Sequence, residues 1–348
     1  MVRIAVNGLG RIGRAFVKLA LARPELDVVA ANDLLSAEDL VYLMRFDSVY
    51  GRYREPVDVD PPDAQGNRSL VVAGHRMRLL SQRDPAQLPW AELAIDVVVE
   101  STGALKTFAE ARDHLKAGAR RVVLTTPARD EDGGDARTVL MGVNVEELRG
   151  VVVSSNGSCT TNSASPIMQV LTETVGVRKA FLNTVHGYTS SQSLVDGPSR
   201  GRDLRRGRAA AANIVPSSTG AATAVARAIP ALRGKFGGIA ARVPVLAGSI
   251  SSIVFVAARP TSVDEINGHL EDACKSQRWN RVLAVTREPL VSSDVIGDPH
   301  AAIADLSLTS VVDGDLCSVY SWYDNEFGYT NSLVEHVTAA ARALHAAV

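Results

Sequence analysis

The chain carries almost no net charge: 37 Lys and Arg stand against 38 Asp and Glu in 348 residues, a formal charge of −1. That balance excludes a broad field for nucleic acid or an anionic membrane, so any recognition of anions must come from local clusters. Cysteine is scarce as well. Cys159, Cys274 and Cys317 are odd in number and widely spaced, which argues against a disulfide framework and against a metal site. No apolar run approaches the roughly 20 residues needed to span a bilayer. No secretory hydrophobic region follows Met1, because strand-like Val2 to Val6 begins at once. Repeats and low-complexity linkers are absent too. These absences predict a cytoplasmic protein with no metal, no nucleic-acid partner and no membrane partner.

What is present is alternation. Apolar runs at Val2–Val6, Val28–Ala31, Ala94–Val99, Val122–Leu124 and Val151–Val153 are separated by helical patterns such as Arg14–Ala22, Ala37–Met44 and Phe108–Ala117. Strands and helices in turn predict a parallel sheet flanked by helices. Tyr50 to Leu80, with Pro61-Pro62 and Gly66-Asn67, reads as a small antiparallel insertion. Past a helix over Ser163–Val175 the pattern changes. Ala180–Thr184, Ile239–Val243, Ser249–Ala257, Ile303–Val311 and Leu316–Trp322 are strand-like, with long helices only at Ala221–Ile229 and Val263–Ser276. The fold class expected is α/β. A Rossmann-type parallel-sheet domain occupies residues 1–158, and an α+β catalytic domain with a mainly antiparallel sheet occupies 159–324. A C-terminal helix over 325–348 returns to the first domain.

Gly8-Leu9-Gly10-Arg11-Ile12-Gly13 has the context that gives a glycine-rich turn meaning: a strand before it, a helix after it, and Asp33 about 20 positions on. Gly8 permits the tight turn, Gly10 lets a pyrophosphate approach the backbone, and Gly13 allows close helix–strand packing. The Arg11 and Ile12 amides open the helix toward phosphate. Asp33, at the end of the second strand, suits two ribose hydroxyls and would repel a 2′-phosphate. NAD is therefore expected over NADP.

In Ser154-Ser155-Asn156-Gly157-Ser158-Cys159-Thr160-Thr161-Asn162 a valine run ends in a polar turn and a helix begins. Taken alone, Cys159 reads as an inert buried thiol. At a helix N-terminus, however, unpaired N–H groups and the macrodipole favour a thiolate. His186, ending a strand that should lie beside that helix, supplies a base, so a thiolate–imidazolium pair is expected. Between Asp196 and Gly220 a loop rich in Arg, Ser, Thr and Gly leads into a helix opened by Ser217-Ser218-Thr219-Gly220, a combination suited to anions.

At this point the chain resembles the phosphorylating glyceraldehyde-3-phosphate dehydrogenases. The resemblance rests on Asn7–Arg14, Asn32-Asp33, Phe46–Gly51, Glu100–Gly103, the Cys159 motif, His186–Thr189, Arg205–Arg208, Pro216–Ala222, Arg242-Val243-Pro244 and Trp322–Tyr329, in order along almost the whole chain. It implies Cys159 as nucleophile and His186 as general base. Ser158, Thr160, Thr189, Arg205, Thr219, Gly220 and Arg242 would hold the phosphate of a small phosphorylated aldehyde and inorganic phosphate. Beyond the glycine-rich turn and Asp33, it implies cofactor contacts from Arg83, Thr125 and Asn325, with Pro198 marking the NAD-preferring form of its loop. It also implies a homotetramer. Glyceraldehyde 3-phosphate would be oxidised through a hemithioacetal and a thioester to 1,3-bisphosphoglycerate.

Several positions depart from the family pattern. Ser163 replaces a second cysteine, Thr125-Thr126-Pro127 a Ser-Ala-Pro, and Gly157 an alanine. Gly187 stands where a side chain is common, Arg200-Gly201-Arg202 adds a residue, and Val245–Ser249 differs. These departures leave two other readings open: a paralogue oxidising a related aldehyde such as erythrose 4-phosphate, or a non-catalytic NAD-binding protein. The phosphate-site form of Pro216–Gly220 argues against the first, and intact Cys159, His186, Arg205 and Arg242 against the second.

Overall fold

A computed structural model describes residues 1–199 and 203–345; the Arg200–Arg202 insertion expected from the sequence lies outside them. The chain divides into two units. The first comprises Met1–Val139, Asn144–Gly157 and the chain from Leu333; the second comprises Leu140–Val143 and Ser158–Ser332.

In the first unit the strands are β1 (Val2–Asn7), β2 (Leu26–Asn32), the short hairpin β3 (Phe46–Asp47) and β4 (Gly51–Arg52), β5 (Val57–Val59), β6 (Arg68–Val72), β7 (His75–Leu80), β8 (Val97–Glu100), β9 (Arg121–Leu124), β10 (Ala136–Thr138) and β11 (Val153–Ser155). The helices are α1 (Arg11–Ala20), α2 (Ala37–Arg45), α3 (Phe108–Ala111) and α4 (Asp113–Lys116). One nine-stranded sheet runs in the order β10-β11-β9-β8-β1-β2-β7-β6-β5. It is parallel from β10 to β7, and β6 and β5 add antiparallel strands at one edge. The stretch read as an insertion is thus antiparallel in itself and extends the main sheet. Central strands read as nearly unbroken apolar runs because both faces are covered: β8 and β9 are buried at every residue.

The second unit carries α5 (Cys159–Thr174), β12 (Val177–Gly187), β13 (Val215–Ser218), α6 (Ala221–Ala228), β14 (Phe236–Val243), β15 (Ser249–Ala257), α7 (Val263–Lys275), β16 (Leu283–Thr286), β17 (Ala302–Asp305), β18 (Ser310–Val312) and β19 (Leu316–Tyr323). Its sheet runs β13-β14-β12-β15-β19-β17-β16 with β18 beside β19. It is mainly antiparallel, but β12 with β14 and β16 with β17 are parallel. Strict alternation along β12 and β15 sends Leu182, Thr184, Ile253 and Phe255 to the core and Phe181, Val185 and Val254 outward.

Helix α8 (Phe327–His345) crosses from the second unit into the first at Leu333. From there Leu333, Val334, Val337, Ala340, Ala341 and Leu344 pack in one core with Val2, Ile4, Val6 and Phe16. No helix among the described residues is long and apolar enough to cross a membrane.

Candidate active site

In the first unit, an open cleft of ≈ 380 Å³ lies at the carboxyl ends of the parallel strands. Asn7, Gly8, Gly10, Asn32, Asp33, Gln82, Arg83 and Thr102 line it. Ligands bind at this end of such sheets because the strand order reverses there and helix N-termini point inward. The glycines divide the work. An ideal Cβ on Gly13 would lie 2.0 Å from Gly8 O, so only glycine lets α1 pack there, whereas Gly10 faces open space. A flat backbone approach beside Gly10 and the first turn of α1 fits a pyrophosphate. Asp33 is held rather than loose: its Oδ2 accepts the Leu9 N–H at 2.6 Å and its Oδ1 the Leu35 N–H at 2.9 Å. Arg11 turns its guanidinium to Asp47 (3.1 Å), and Ile12 packs half-buried against the core. Thr125 stands at the end of β9, its N–H donating to Glu100 O.

In the second unit, Cys159 is the first residue of α5. Ser158 caps that helix: its Oγ accepts the Thr161 N–H at 3.1 Å and Thr161 Oγ1 accepts the Ser158 N–H at 3.2 Å. His186 is the last residue but one of β12, with Nε2 3.3 Å from Cys159 Sγ. Because β12 and β14 are parallel and in register, Arg242 is the neighbour of His186. Arg242 Nη1 lies 2.8 Å from His186 Nδ1 and donates to Gly187 O at 3.1 Å. Gly187 O is also only 2.6 Å from Nδ1, so the two neighbours of Nδ1 favour opposite tautomers. Nδ1–H donates to Gly187 O and leaves the Nε2 lone pair for sulfur, whereas bare Nδ1 accepts from Arg242.

Burial pushes the Cys159 thiol up, against the pull of Arg242 and the Thr160 N–H. Burial first and Arg242 second push His186 down to about 3. Both directions favour the neutral thiol and imidazole and so oppose the charge separation that the thiolate–imidazolium pair expected from the sequence requires. Desolvation outweighs the helix dipole here.

The profile described as "Glyceraldehyde 3-phosphate dehydrogenase, NAD binding domain" matches residues 2–108, and that of the corresponding C-terminal domain matches residues 158–325. The chain is 44% identical to the glyceraldehyde-3-phosphate dehydrogenase of Mycobacterium tuberculosis, over 99% of each chain. To that of Thermotoga maritima it is 44% identical over 96% of this chain and 98% of the other. To glyceraldehyde-3-phosphate dehydrogenase 1 of Kluyveromyces lactis it is 40% identical over 97% and 100%. The chain belongs to the glyceraldehyde-3-phosphate dehydrogenase family. It is an NAD-dependent oxidoreductase.

Of the anion residues expected from the sequence, Arg205 and Arg242 are held differently. Arg205 donates to Asp203 Oδ1 at 3.0 Å and is otherwise exposed. Its neighbour Arg206 is the one whose charge reaches both His186 and Arg242. Two adjacent residues in a 3-10 turn point in different directions, and the Asp203 cap captures the first of them. Arg206 Nη1 also reaches Ser191 Oγ (3.4 Å), which is 2.9 Å from Thr189 Oγ1. Arg242 Nε and Ser217 Oγ are buried without a hydrogen-bond partner, a state that an incoming anion would relieve. Gly220, just before α6, faces open space, and Thr219 Oγ1 accepts the Ala221 N–H. Ser158 Oγ is spent on its cap, and Thr160 Oγ1 is 3.0 Å from Tyr323 OH, in the core. Pro198 is exposed, on a loop closed by a hydrogen bond from the Gly197 N–H to Gly207 O.

Sequence reasoning missed Arg206, Ser249 and Tyr323. Ser249 Oγ accepts the Gly187 N–H (3.2 Å) and donates to Asn325 Oδ1 (3.0 Å). A peptide N–H can only donate, so this serine fixes which way the Asn325 amide points. Tyr323 OH sits between Thr160 and Thr184 hydroxyls, and burial pushes it up to about 12. Alternation would have put Tyr323 on the core face, but its hydroxyl partners come from distant elements.

Proposed function

We propose that the protein oxidises glyceraldehyde 3-phosphate with NAD and inorganic phosphate to 1,3-bisphosphoglycerate, reversibly, through covalent chemistry on Cys159. The observation that carries this reading is the half-buried Cys159–His186 contact at 3.3 Å with Arg242 alongside. Sulfur attacks the aldehyde carbon while His186 Nε2 takes the thiol proton and hands it to the forming alkoxide, giving a hemithioacetal and a free Nε2. The Cys159 backbone N–H at the start of α5 and His186 stabilise its oxygen. His186 then takes the proton from the hemithioacetal hydroxyl. NAD, when bound, supplies the hydride acceptor, and the oxidation leaves a thioester on Cys159. Inorganic phosphate attacks that thioester and restores the thiol.

The residues divide by task. Gly8, Gly10, Gly13, Asp33, Arg83, Thr125 and the Arg11 and Ile12 amides are assigned to the dinucleotide, as is the Asn325 amide, whose nitrogen Ser249 leaves outward for a carboxamide oxygen. Arg206, Arg242, Thr189, Thr219, Gly220 and the first turn of α5 are assigned to the two phosphates. Residues 1–158 form the NAD-binding domain in this reading and 159–324 the catalytic domain. A catalytic free thiol suits the reducing cytoplasm.

Rapid NADH formation from glyceraldehyde 3-phosphate that requires phosphate is the expected result. Turnover of erythrose 4-phosphate without phosphate would replace the substrate, and NAD binding without turnover would remove the catalysis. Cys159→Ser should abolish turnover and leave NAD binding within about twofold, since the thiol carries the covalent step and not the cofactor.

We also propose a homotetramer. Phe181, Val185, Ile239, Val254 and Leu316 are exposed on the outer face of the second sheet, an apolar patch of the kind that subunit contacts cover. A second copy is the occupant proposed. Phe181→Glu with Val254→Glu should lower the mass seen by light scattering, and an unchanged mass would show that this face is not an interface.

A further inference from the structure

One fully buried carboxylate has no part in that chemistry. Glu100, at the end of β8, is 1% exposed, and every group touching it is a donor. Trp90 Nε1–H, which can only donate, lies 3.0 Å from His114 Nδ1. The proton of the His114 ring therefore sits on Nε2, 3.0 Å from Glu100 Oε2. Asn7 Nδ2 donates to the same oxygen at 2.6 Å. Oε1 accepts the Thr102 N–H at 2.9 Å and the Thr102 hydroxyl.

The chain continues beyond Asn7. Asn7 Oδ1 accepts from Asn32 Nδ2 (2.7 Å), which also donates to Gln82 O (2.9 Å), while the Gln82 N–H donates to Asn32 Oδ1 (2.8 Å). The fixed ends are an indole N–H, the two backbone groups of Gln82 and the backbone N–H of Thr102. None of them can reverse. Neither amide can flip, and the imidazole cannot change tautomer, without setting donor against donor in a buried site.

Asn7, Asn32, Gln82 and Thr102 all line the cleft of the first unit. The Gly8 N–H donates to Asn32 O at 2.8 Å, and an ideal Cβ on Gly8 would stand 2.6 Å from Thr102 N. Movement of Asn32 or Thr102 therefore moves the glycine turn. We propose that Glu100 is a positioning residue for the dinucleotide: its carboxylate sets the direction of the hydrogen-bond chain that fixes the cleft wall through Asn7 and Thr102. This rests on the reading of that cleft as the NAD site.

The test is titration of purified full-length protein with NAD, followed by steady-state kinetics. In Glu100→Gln the new NH2 must face either Asn7 Nδ2 and His114 Nε2–H or the Thr102 N–H. The dissociation constant for NAD should rise at least tenfold, while kcat at saturating NAD falls no more than about threefold. Asn7→Asp on its own sets two carboxylates together and should weaken binding at least as much.

Together the two changes restore an acceptor for every donor, because the Asn7 side-chain nitrogen lies 3.4 Å from His114 Nε2 and within reach of residue 100 and Asn32. The double variant should recover NAD affinity to within about threefold of the unaltered protein. A general loss of packing would be worsened, not repaired, by the second change. A folded Glu100→Gln that binds NAD normally, or a double variant no better than Glu100→Gln, overturns the proposal. If Glu100→Gln does not fold, Thr102→Val removes a single donor and should weaken NAD about threefold; unchanged binding there is equally fatal. Unaltered protein that binds NAD yet fails to turn over glyceraldehyde 3-phosphate defeats the proposed function and leaves this inference standing.

Discussion

At the scale of single residues, the two arginines beside the thiol pocket carry a sharp contrast. Arg206 projects its charge onto His186 and Arg242, whereas Arg205 is engaged by Asp203. Arg206→Gln should raise the KM for phosphate or for the aldehyde tenfold or more, with charge-assisted binding lost. Arg205→Gln should change either by less than twofold. Equal effects, or the reverse order, would return the role to Arg205. The same pocket shows how a composite site resists reading. Cys159 and His186 are legible because a polar turn before a helix and a histidine at a strand end are local signals. Arg206 and Ser249 are not, since their direction is set by a 3-10 turn and by partners dozens of residues away.

At the scale of elements, two departures from the family pattern explain each other. An ideal Cβ on Gly187 would lie 3.0 Å from Val245 O and 3.4 Å from Leu246 O, and the Tyr188 N–H donates to Val245 O at 3.1 Å. The Val245–Gly248 loop thus closes on the glycine. A methyl at 187 must push that loop outward, and Ser249 follows it directly in sequence. Gly187→Ala should cost about 1 kcal/mol of stability by overpacking and should raise the KM for NAD, because Ser249 orients Asn325. Unchanged thermal stability and KM would mean that the loop yields freely.

Strand alternation made β12, β15 and β19 legible, since one face of each is buried. What failed was partnering. The Tyr50–Leu80 stretch alternates equally well as a separate hairpin or as an extension of the main sheet, and only the pairing of β7 with β2 decides. The run read as Ile303–Val311 breaks because Asp305 Oδ1 accepts the N–H and hydroxyl of Ser307, making a turn that hydropathy does not register.

At the scale of the whole molecule, buried histidines set the response to acid. His186 and His336 are both pushed down to about 3, chiefly by burial, with Arg242 second for His186 and Arg121 second for His336. An unfolded chain takes up these protons near 6.5 and the folded chain does not. Stability is therefore whole above about pH 6.5 and falls as pH drops toward 3, by about 1.4 kcal/mol per unit for each histidine. Urea titrations should show weakening already between pH 6 and 5, above the carboxylate range. Constant stability across that interval would mean that these rings are hydrated. The C-terminal helix imposes a different condition, one of timing. Its last turns supply core side chains to the unit that begins at Met1, so a ribosome releases nearly the whole polypeptide before the first-made strands can bury their apolar face. Until then that sheet is an incomplete intermediate open to chaperones and to aggregation, and a chain stopped at Ser332 should never close it.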